Sequence, residues 1–273
     1  MAELRAARGG AGLTREDAAR SLQWSLSKLV RIETGDQGVS VTDLRAMLSL
    51  YGVADEARIT ELSQLAHGSR AHTWWSGYRE SISRQFGQYL SLEGSASRIR
   101  AFHPMLMPAL LHTREYGFEL LKVGAGEERA SVLLELRSKR QDRMLGQQEP
   151  PEMEFIFGEE ALIRRIGSPD VMNRQCRRLL ELMAASHVSI RIVPLSAGAY
   201  PGLSGSFILL SLQETREELL FLESAGGDMI SRDERQVIDP FIGRFKTLTD
   251  IALSVDDTRS LIMRTIDILD RHS

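Results

Sequence analysis

Residues 14–35 read TREDAARSLQWSLSKLVRIETG, and this stretch decides the fold of the N-terminal part of the chain. Thr14 is suited to cap a first helix, with Asp17 three residues later in the place of a capping-box acid. The pair Gln23-Trp24 then forms a turn, and Ser25 can cap a second helix. The spacing therefore predicts two short helices joined by a tight turn, which is a helix-turn-helix.

The apolar residues of this stretch define one buried face on each helix. In the second helix, which Gly35 ends, Leu29 and Ile32 lie three residues apart and share a face. The buried residues predicted for the first helix are Ala18, Ala19 and Leu22. With that face fixed, the second helix turns four side chains outward, namely Leu26, Ser27, Lys28 and Arg31. Cations and a hydroxyl can bond base edges, and a leucine can contact a thymine methyl, so this face suits a major groove.

Any two short amphipathic helices can give the same pattern, so spacing alone leaves a purely structural interpretation open. The segments LRAARGGAGLT, AARSL, SLSKLVRIETG and SVTDLRAMLSLYGV also follow one another in order within residues 2–67. Together they resemble the Xre-type, lambda-repressor-like five-helix domain. The resemblance implies an all-α domain that binds double-stranded DNA. It places Arg15 and Ser25 on backbone phosphates and the four outward side chains of the second helix on base edges.

The resemblance also assigns two residues that do not contact DNA. In that family an arginine at the end of the first helix commonly pairs with a glutamate near the end of the recognition helix. Here these residues are Arg8 and Glu33, which we predict to form a structural pair. Gln23 departs from the family, which usually has glycine in a left-handed conformation at this turn, and the departure is expected to cost roughly 1 kcal/mol.

Composition is that of a globular protein: 273 residues are 42% hydrophobic and 26% charged, with a net charge of -3. Between Leu4 and Ile32, however, the sequence contains six basic residues and two acidic ones, which gives this segment a net charge of +4. We therefore expect salt-sensitive DNA binding that depends on dimerisation.

The single cysteine, Cys176, excludes an internal disulfide and a cysteine-rich zinc site. The longest apolar run, 104–111, is too short to span a bilayer, and we expect a cytoplasmic protein without a membrane partner.

The chain is expected to contain two domains. Residues 1–67 form the helix-turn-helix domain, 68–73 a short polar linker, and 74–273 a second domain. In the second domain, residues 74–123 are interpreted as mainly helical, and more helices follow. Four strands are predicted, with the sequences MEFIFG, VSIRIVP, SFILLSL and ELLFLES. This order predicts an α+β domain with a small antiparallel sheet.

The second half also carries a resemblance. It rests on the WW..Y motif, the HPMLMPALLHT segment, the LR..RQ motif, the VSIRIVP strand and SAGAYPGLSGSFILL. These resemble the large C-terminal domain that follows an Xre-type module in many actinobacterial regulators. The function of that domain is poorly defined across the family, although some members pair with a small companion protein in an antitoxin-like arrangement.

Several side chains of the second domain are candidates for a pocket or an interface. Trp74, Trp75 and Tyr78 can line a small-molecule pocket, although an interface core between the domains is favoured. Arg137 and Arg140 recur on one helix face with Gln141 and Arg143. They can hold an acidic partner or a buried carboxylate, although a solvated or ion-paired face is favoured. Cys176 lies beside arginines that can activate a thiol, although a buried structural cysteine is favoured.

Catalytic and metal-binding patterns are not found. The glycine-rich stretch GAYPGLSGSF lacks the P-loop lysine, and its serines lack the frame of a nucleophile elbow. The six histidines show no metal-ligand spacing. We therefore predict no enzyme activity, no metal and no cofactor.

These patterns predict a dimeric, sequence-specific DNA-binding transcriptional regulator. The second domain would supply dimerisation and sense a small-molecule ligand or a protein partner. Its expected contact surfaces are the aromatic entry at Trp74, Trp75 and Tyr78 and the last helix, with Leu261, Ile262, Thr265, Ile266 and Leu269. The alternative is an antitoxin-like interaction protein that binds a small companion protein and regulates its own operon.

Overall fold

The computed structural model describes residues 2–34, 39–53, 55, 59, 74–147, 150–212, 217–223, 227–232 and 234–271. The chain divides into two compact units, Met1–Ser76 and Gly77–Ser273. The linker predicted at 68–73 lies outside the described residues, as does most of the segment where a fifth helix of the first domain was expected.

The regular secondary structure described in the first unit is entirely helical. Its helices are α1 Ala2–Gly10, α2 Arg15–Ser21, α3 Leu26–Thr34 and α4 Val41–Leu50. Ala18, Leu29 and Ile32 are fully buried, and Ala19 is nearly so. The predicted buried face is therefore confirmed for these four residues, while Leu22 is only partly buried. The small side chains of α2 allow α2 and α3 to approach closely.

The helices α1, α2 and α4 end in the same way. After α2, the Trp24 N–H donates to the Ala19 carbonyl at 2.9 Å and the Gln23 N–H donates to the Arg20 carbonyl at 3.1 Å. This bond pattern is a Schellman motif, which needs a left-handed residue just past the helix. The ends of α1 and α4 meet that need with Gly12 (φ 69°) and Gly52 (φ 75°), whereas α2 uses Gln23 (φ 56°).

The second unit combines helices with a six-stranded sheet. Its described helices are α5 Arg84–Glu93, α6 Arg114–Ala125, α7 Glu127–Leu145, α8 Glu160–Ile163, α9 Pro169–Leu182, α10 Arg235–Ile251 and α11 Val255–Asp270. The strands are β1 Ala96–His103, β2 Glu152–Gly158, β3 Val188–Val193, β4 Phe207–Leu212, β5 Glu218–Leu222 and β6 Met229–Arg232. The four predicted strands correspond to β2 through β5.

The sheet is mixed, so the prediction of a small antiparallel sheet is wrong. The strand order is β3-β2-β1-β4-β5-β6. The pairs β1–β2 and β2–β3 are parallel, and the other three are antiparallel. Helices α6 and α7 separate β1 from β2, and α8 and α9 separate β2 from β3. Connections of this length are the kind that parallel strands require, so the helices themselves are the physical reason for the mixed sheet.

The central strand β1 was missed because its sequence was interpreted as part of a helical region. It carries arginines in the middle of the sheet, and each has a carboxylate on another strand of the same sheet. Arg98 donates to Glu154 on the adjacent β2 at 2.6 Å, and Arg100 donates to Glu218 on β5, two strands away, at 2.7 Å. A strand rich in charge can occupy the centre of the sheet because carboxylates of other strands neutralise it.

The last helix provides a second correction. In α11, Ile262 is fully buried and Ile266 is 7% exposed, so these two residues belong to the core and cannot form the expected surface contact. Leu261, Thr265 and Leu269 are partly buried.

We predict that Gln23→Gly stabilises the first unit. A left-handed conformation costs a residue with a Cβ about 1 to 2 kcal/mol, and the greater freedom of glycine in the unfolded chain offsets about half of that gain. The expected increase in the free energy of unfolding is therefore about 0.5 to 1 kcal/mol. Urea unfolding followed by tryptophan fluorescence measures it selectively, because all three tryptophans lie within the first 76 residues.

The Gln23 side chain is exposed, so its removal costs no packing. The control is Gln23→Ala, which keeps the Cβ and should leave the free energy of unfolding nearly unchanged. Equal effects of the two substitutions would show that the turn is not strained.

Candidate nucleic-acid interface

The turn between α2 and α3 sets the direction of the second helix. Ser25 follows the Schellman motif directly, and its hydroxyl accepts a hydrogen bond from the Lys28 N–H at 3.2 Å. Thr14 does the same for α2, accepting from the Asp17 N–H at 3.1 Å. Both predicted N-caps are therefore present, and they fix where each helix begins.

A buried carboxylate joins the first three helices. Glu33, on α3, is fully buried. It accepts hydrogen bonds from Nε of Arg8 on α1 at 2.7 Å and from Nε of Arg15, at the start of α2, at 3.0 Å. Arg8 also donates through Nη1 to the Leu13 carbonyl at 2.7 Å, which ties down the loop between α1 and α2. The contact between Arg8 and Glu33 is the one that the sequence analysis predicted, and Arg15 is an additional member.

The two arginines keep this carboxylate ionised. Burial raises the pKa of Glu33, but the hydrogen bonds and charges of Arg8 and Arg15 outweigh burial and hold the pKa below its ordinary value. A buried carboxylate without such partners would instead be protonated. The charged form of Glu33 is therefore part of the folded structure of this unit.

Arg15 also carries N–H donors that do not contact Glu33. Its side chain is 39% exposed. Only Nε contacts Glu33, and among the described residues its two Nη atoms have no hydrogen-bond partner. An arginine held in this way presents a fixed pair of N–H donors to solvent, which is the geometry that a phosphate accepts.

The outward side of α3 carries the candidate base contacts. Leu26 is 42% exposed, and Ser25 is exposed next to it. The side chains of Ser27 and Arg31 lie outside the described part of the chain, although their positions on α3 are described. Of the four expected base contacts, the structure therefore gives the side-chain surroundings of Leu26 and Lys28.

Lys28 is engaged by two neighbours within the first unit. Its Nζ lies 3.2 Å from Oδ1 of Asp43, in the first turn of α4. The same ammonium lies 3.8 Å from the centre of the Trp24 ring. The sequence analysis did not anticipate this arrangement, because Asp43 is fifteen residues further along the chain.

In the second unit, Arg140 holds a buried carboxylate and not a solvated position. Its guanidinium donates from Nε and Nη2 to the two oxygens of Glu93, both at 2.7 Å. Tyr89 joins them, since its hydroxyl donates to Glu93 at 2.5 Å and accepts from Arg140 at 3.0 Å. All three residues are buried. Arg140 is therefore ion-paired, as one part of the favoured interpretation expected, but it is not solvated, because Glu93 supplies the buried carboxylate that was weighed as the alternative.

Arg137 also has an internal partner. Its Nη1 lies 2.8 Å from Nδ1 of His112, whose Nε2 lies 2.7 Å from the Met107 carbonyl. Burial lowers the pKa of Arg137 to about 10, and it holds the pKa of His112 far below its ordinary value. His112 is therefore neutral, with Nε2 as the donor and Nδ1 as the acceptor. The arginine and histidine fix the segment that follows β1, and they do not offer a site for an acidic partner.

The remaining pocket candidates give no clear ligand site. Arg140 lines a cavity of about 30 Å³ together with aromatic side chains, namely Phe86, Tyr89, Phe155 and Phe221. That volume holds about two water molecules. Tyr78 is buried, while Trp74 and Trp75 are half-buried, and none of these three lines the cavity.

The cysteine and the possible metal ligands offer no further site among the described residues. Cys176 is fully buried, and burial raises the pKa of its thiol to about 12, so the favoured interpretation of a structural cysteine is confirmed over a redox switch. In the part of the chain that the structure describes, no three His, Cys, Asp or Glu side chains are grouped as metal ligands. No helix among the described residues has the length and apolar character to cross a membrane.

We predict that Glu33→Gln destabilises the first unit by about 2 kcal/mol at pH 7, because two arginines lose their charged acceptor. The difference from wild type should depend on pH. The pKa of Glu33 is lower in the folded protein than in the unfolded chain, where it is about 4.3. The contribution of the ionised carboxylate to the free energy of unfolding is therefore complete above about pH 4.3, and it is lost as the pH falls through the folded pKa.

Urea unfolding followed by tryptophan fluorescence between pH 7 and pH 3 tests this prediction. The difference in the free energy of unfolding between wild type and Glu33→Gln should become smaller below about pH 4. Glu16→Gln is the control, because Glu16 is exposed and accepts neither of the Nε hydrogen bonds by which Arg8 and Arg15 hold Glu33. A gap that stays constant with pH would contradict the assignment of an ionised Glu33.

Comparison with known families agrees with this division of the chain. Residues 2–62 match a family described as a helix-turn-helix domain, which supports DNA binding by the first unit. Residues 86–264 match a family described as a domain of unknown function, DUF5753. Searches of curated proteins and of solved structures found no significant match. Since the second match covers more than half of the residues, the chain belongs to the DUF5753 family, with a helix-turn-helix domain preceding the family domain.

Proposed function

We propose that the chain is a sequence-specific, DNA-binding transcriptional regulator of the Xre type that acts as a homodimer. The observation that carries the proposal is the arrangement around Glu33. One buried carboxylate holds α1, α2 and α3 together, and the outer nitrogens of Arg15, at the start of α2, have no hydrogen-bond partner among the described residues. In this arrangement a phosphate contact flanks a helix whose outer face carries Leu26, Ser27, Lys28 and Arg31.

The two kinds of contact have separate roles in the proposal. Arg15 and Ser25 position the domain on backbone phosphates and carry no sequence information. The outer face of α3 enters the major groove, where Arg31 and Lys28 bond base edges and Leu26 contacts a thymine methyl. The nine residues of α3 span about 14 Å, which is enough to follow the groove over a few base pairs.

Dimerisation follows from the small number of these contacts. One recognition helix with a few cations gives a single module too little affinity for a regulator, and related proteins place two modules on half-sites about one turn apart. We propose that the second unit provides the dimer contact. It would also sense a small-molecule ligand or a protein partner, and the protein would work in the cytoplasm.

An antitoxin-like interaction protein is the alternative proposal, and a small companion recovered in equimolar amounts from the native host would favour it. We propose no enzyme activity. The glycine-rich segment with Ser204 and Ser206 leads into β4, whereas a nucleophile elbow leads from a strand into a helix.

The test begins with selection of binding sites by the full-length protein from random duplex DNA. We expect a site with two half-sites about ten base pairs apart. Arg31→Ala should then weaken binding to the selected site by about 1 to 3 kcal/mol and change binding to random DNA much less. Arg15→Ala should weaken binding to both DNAs about equally, because it removes a phosphate contact.

The matched control is Arg114→Ala, which removes one exposed cation from the second unit and should change neither affinity. Failure to enrich any sequence would contradict specific DNA binding. Enrichment combined with no effect of Arg31→Ala would contradict the assignment of α3 as the reading helix.

A further inference from the structure

We infer that Asp43 and Trp24 set the sequence specificity of DNA binding by holding the ammonium of Lys28 away from non-specific phosphates. The inference rests on the proposed function, since it assigns a role within the same DNA-binding surface. Neither residue belongs to the outer face of α3, and neither is expected to contact DNA itself.

The contacts of Lys28 are those of a held side chain. Its Nζ lies 3.2 Å from the Asp43 carboxylate, and the side chains of both residues are 29% exposed. The Trp24 ring covers the ammonium at 3.8 Å from the ring centre. An opposite charge and an aromatic face both attract a cation, so the free protein satisfies Lys28 internally.

Both neighbours are themselves fixed in place. The Asp43 N–H donates to the N-cap hydroxyl of Ser40 at 2.7 Å, which defines the first turn of α4. The Trp24 N–H closes the Schellman motif of α2 at 2.9 Å, and the Trp24 side chain packs against the core of the first unit. Lys28 is therefore held by groups that cannot easily follow it, and it must leave them to follow a backbone phosphate.

The contacts that hold Lys28 favour a base edge over a backbone phosphate as its DNA partner. A backbone phosphate offers Lys28 one anionic acceptor in place of the Asp43 carboxylate, and the Trp24 contact is lost, so little is gained. A guanine presents two acceptors, O6 and N7, in a fixed geometry in the groove. An ammonium has three N–H donors, so in this proposal Lys28 donates to a guanine while one N–H stays on Asp43, and Asp43 disfavours capture by a phosphate more than contact with the base.

The test compares full-length wild type with Asp43→Asn on a random 30-base-pair duplex and on the selected duplex, by fluorescence anisotropy over a range of salt concentrations. Release of Lys28 should raise affinity for the random duplex roughly three- to tenfold and steepen its log–log salt slope by about 0.9, the value for one added phosphate contact. Affinity for the selected duplex should rise less, so the specificity ratio falls.

Glu16→Gln is the matched control. It removes the same charge from an exposed residue other than the one that pairs with Lys28, and it should leave the specificity ratio unchanged. Lys28→Gln provides an independent arm that keeps Asp43 in place. It should lower affinity for the selected duplex about tenfold and change binding to the random duplex little, because Lys28 is not engaged there.

The inference is overturned if Asp43→Asn behaves like Glu16→Gln, or if Lys28→Gln weakens binding to both duplexes equally. Should Asp43→Asn not fold, the Lys28→Gln result decides alone. These outcomes differ from failure of the proposed function, in which wild type itself does not distinguish the selected duplex from the random one.

Discussion

The buried carboxylate of Glu33 is the interaction on which the first unit depends. Removing a carboxylate from water is costly, and the cost is met only because Arg8 and Arg15 donate to it from two other helices. The same interaction ties α2 to α3 and fixes the position of a partly exposed cation at the start of α2. Stability and the proposed phosphate contact therefore share one set of side chains, and a change at Glu33 is expected to affect both.

Four cations of the first unit are engaged within the folded protein. Arg8 and Arg15 bind Glu33, Arg20 pairs with Asp17, and Lys28 pairs with Asp43. The effective positive charge is therefore smaller than the count of basic residues suggests. A weakly charged module binds non-specific DNA weakly, and in the proposed complex its affinity would come from base contacts and from a second copy.

Local signals predicted the first unit well, because capping residues and a periodic apolar face lie within a few residues of one another. The contact between Arg8 and Glu33 came from a family resemblance, and no local pattern indicates it. Asp43 and Glu93 were missed as partners of Lys28 and Arg140 because ion pairs distant in sequence leave no periodic trace. Strand β1 was missed because it carries arginines, and the parallel pairing of β2 with β3 was missed although the helices α8 and α9 between them form the kind of connection that parallel strands require.

The central claim is that the outer face of α3 reads bases in the major groove, and methylation interference at guanine N7 tests it most directly. The account predicts that methylation of particular guanines within the two half-sites of the selected DNA blocks binding, since N7 faces the major groove. A ligand that occupies the minor groove should not displace the protein. Binding that tolerates methylation at every guanine but is displaced from the minor groove would contradict the account.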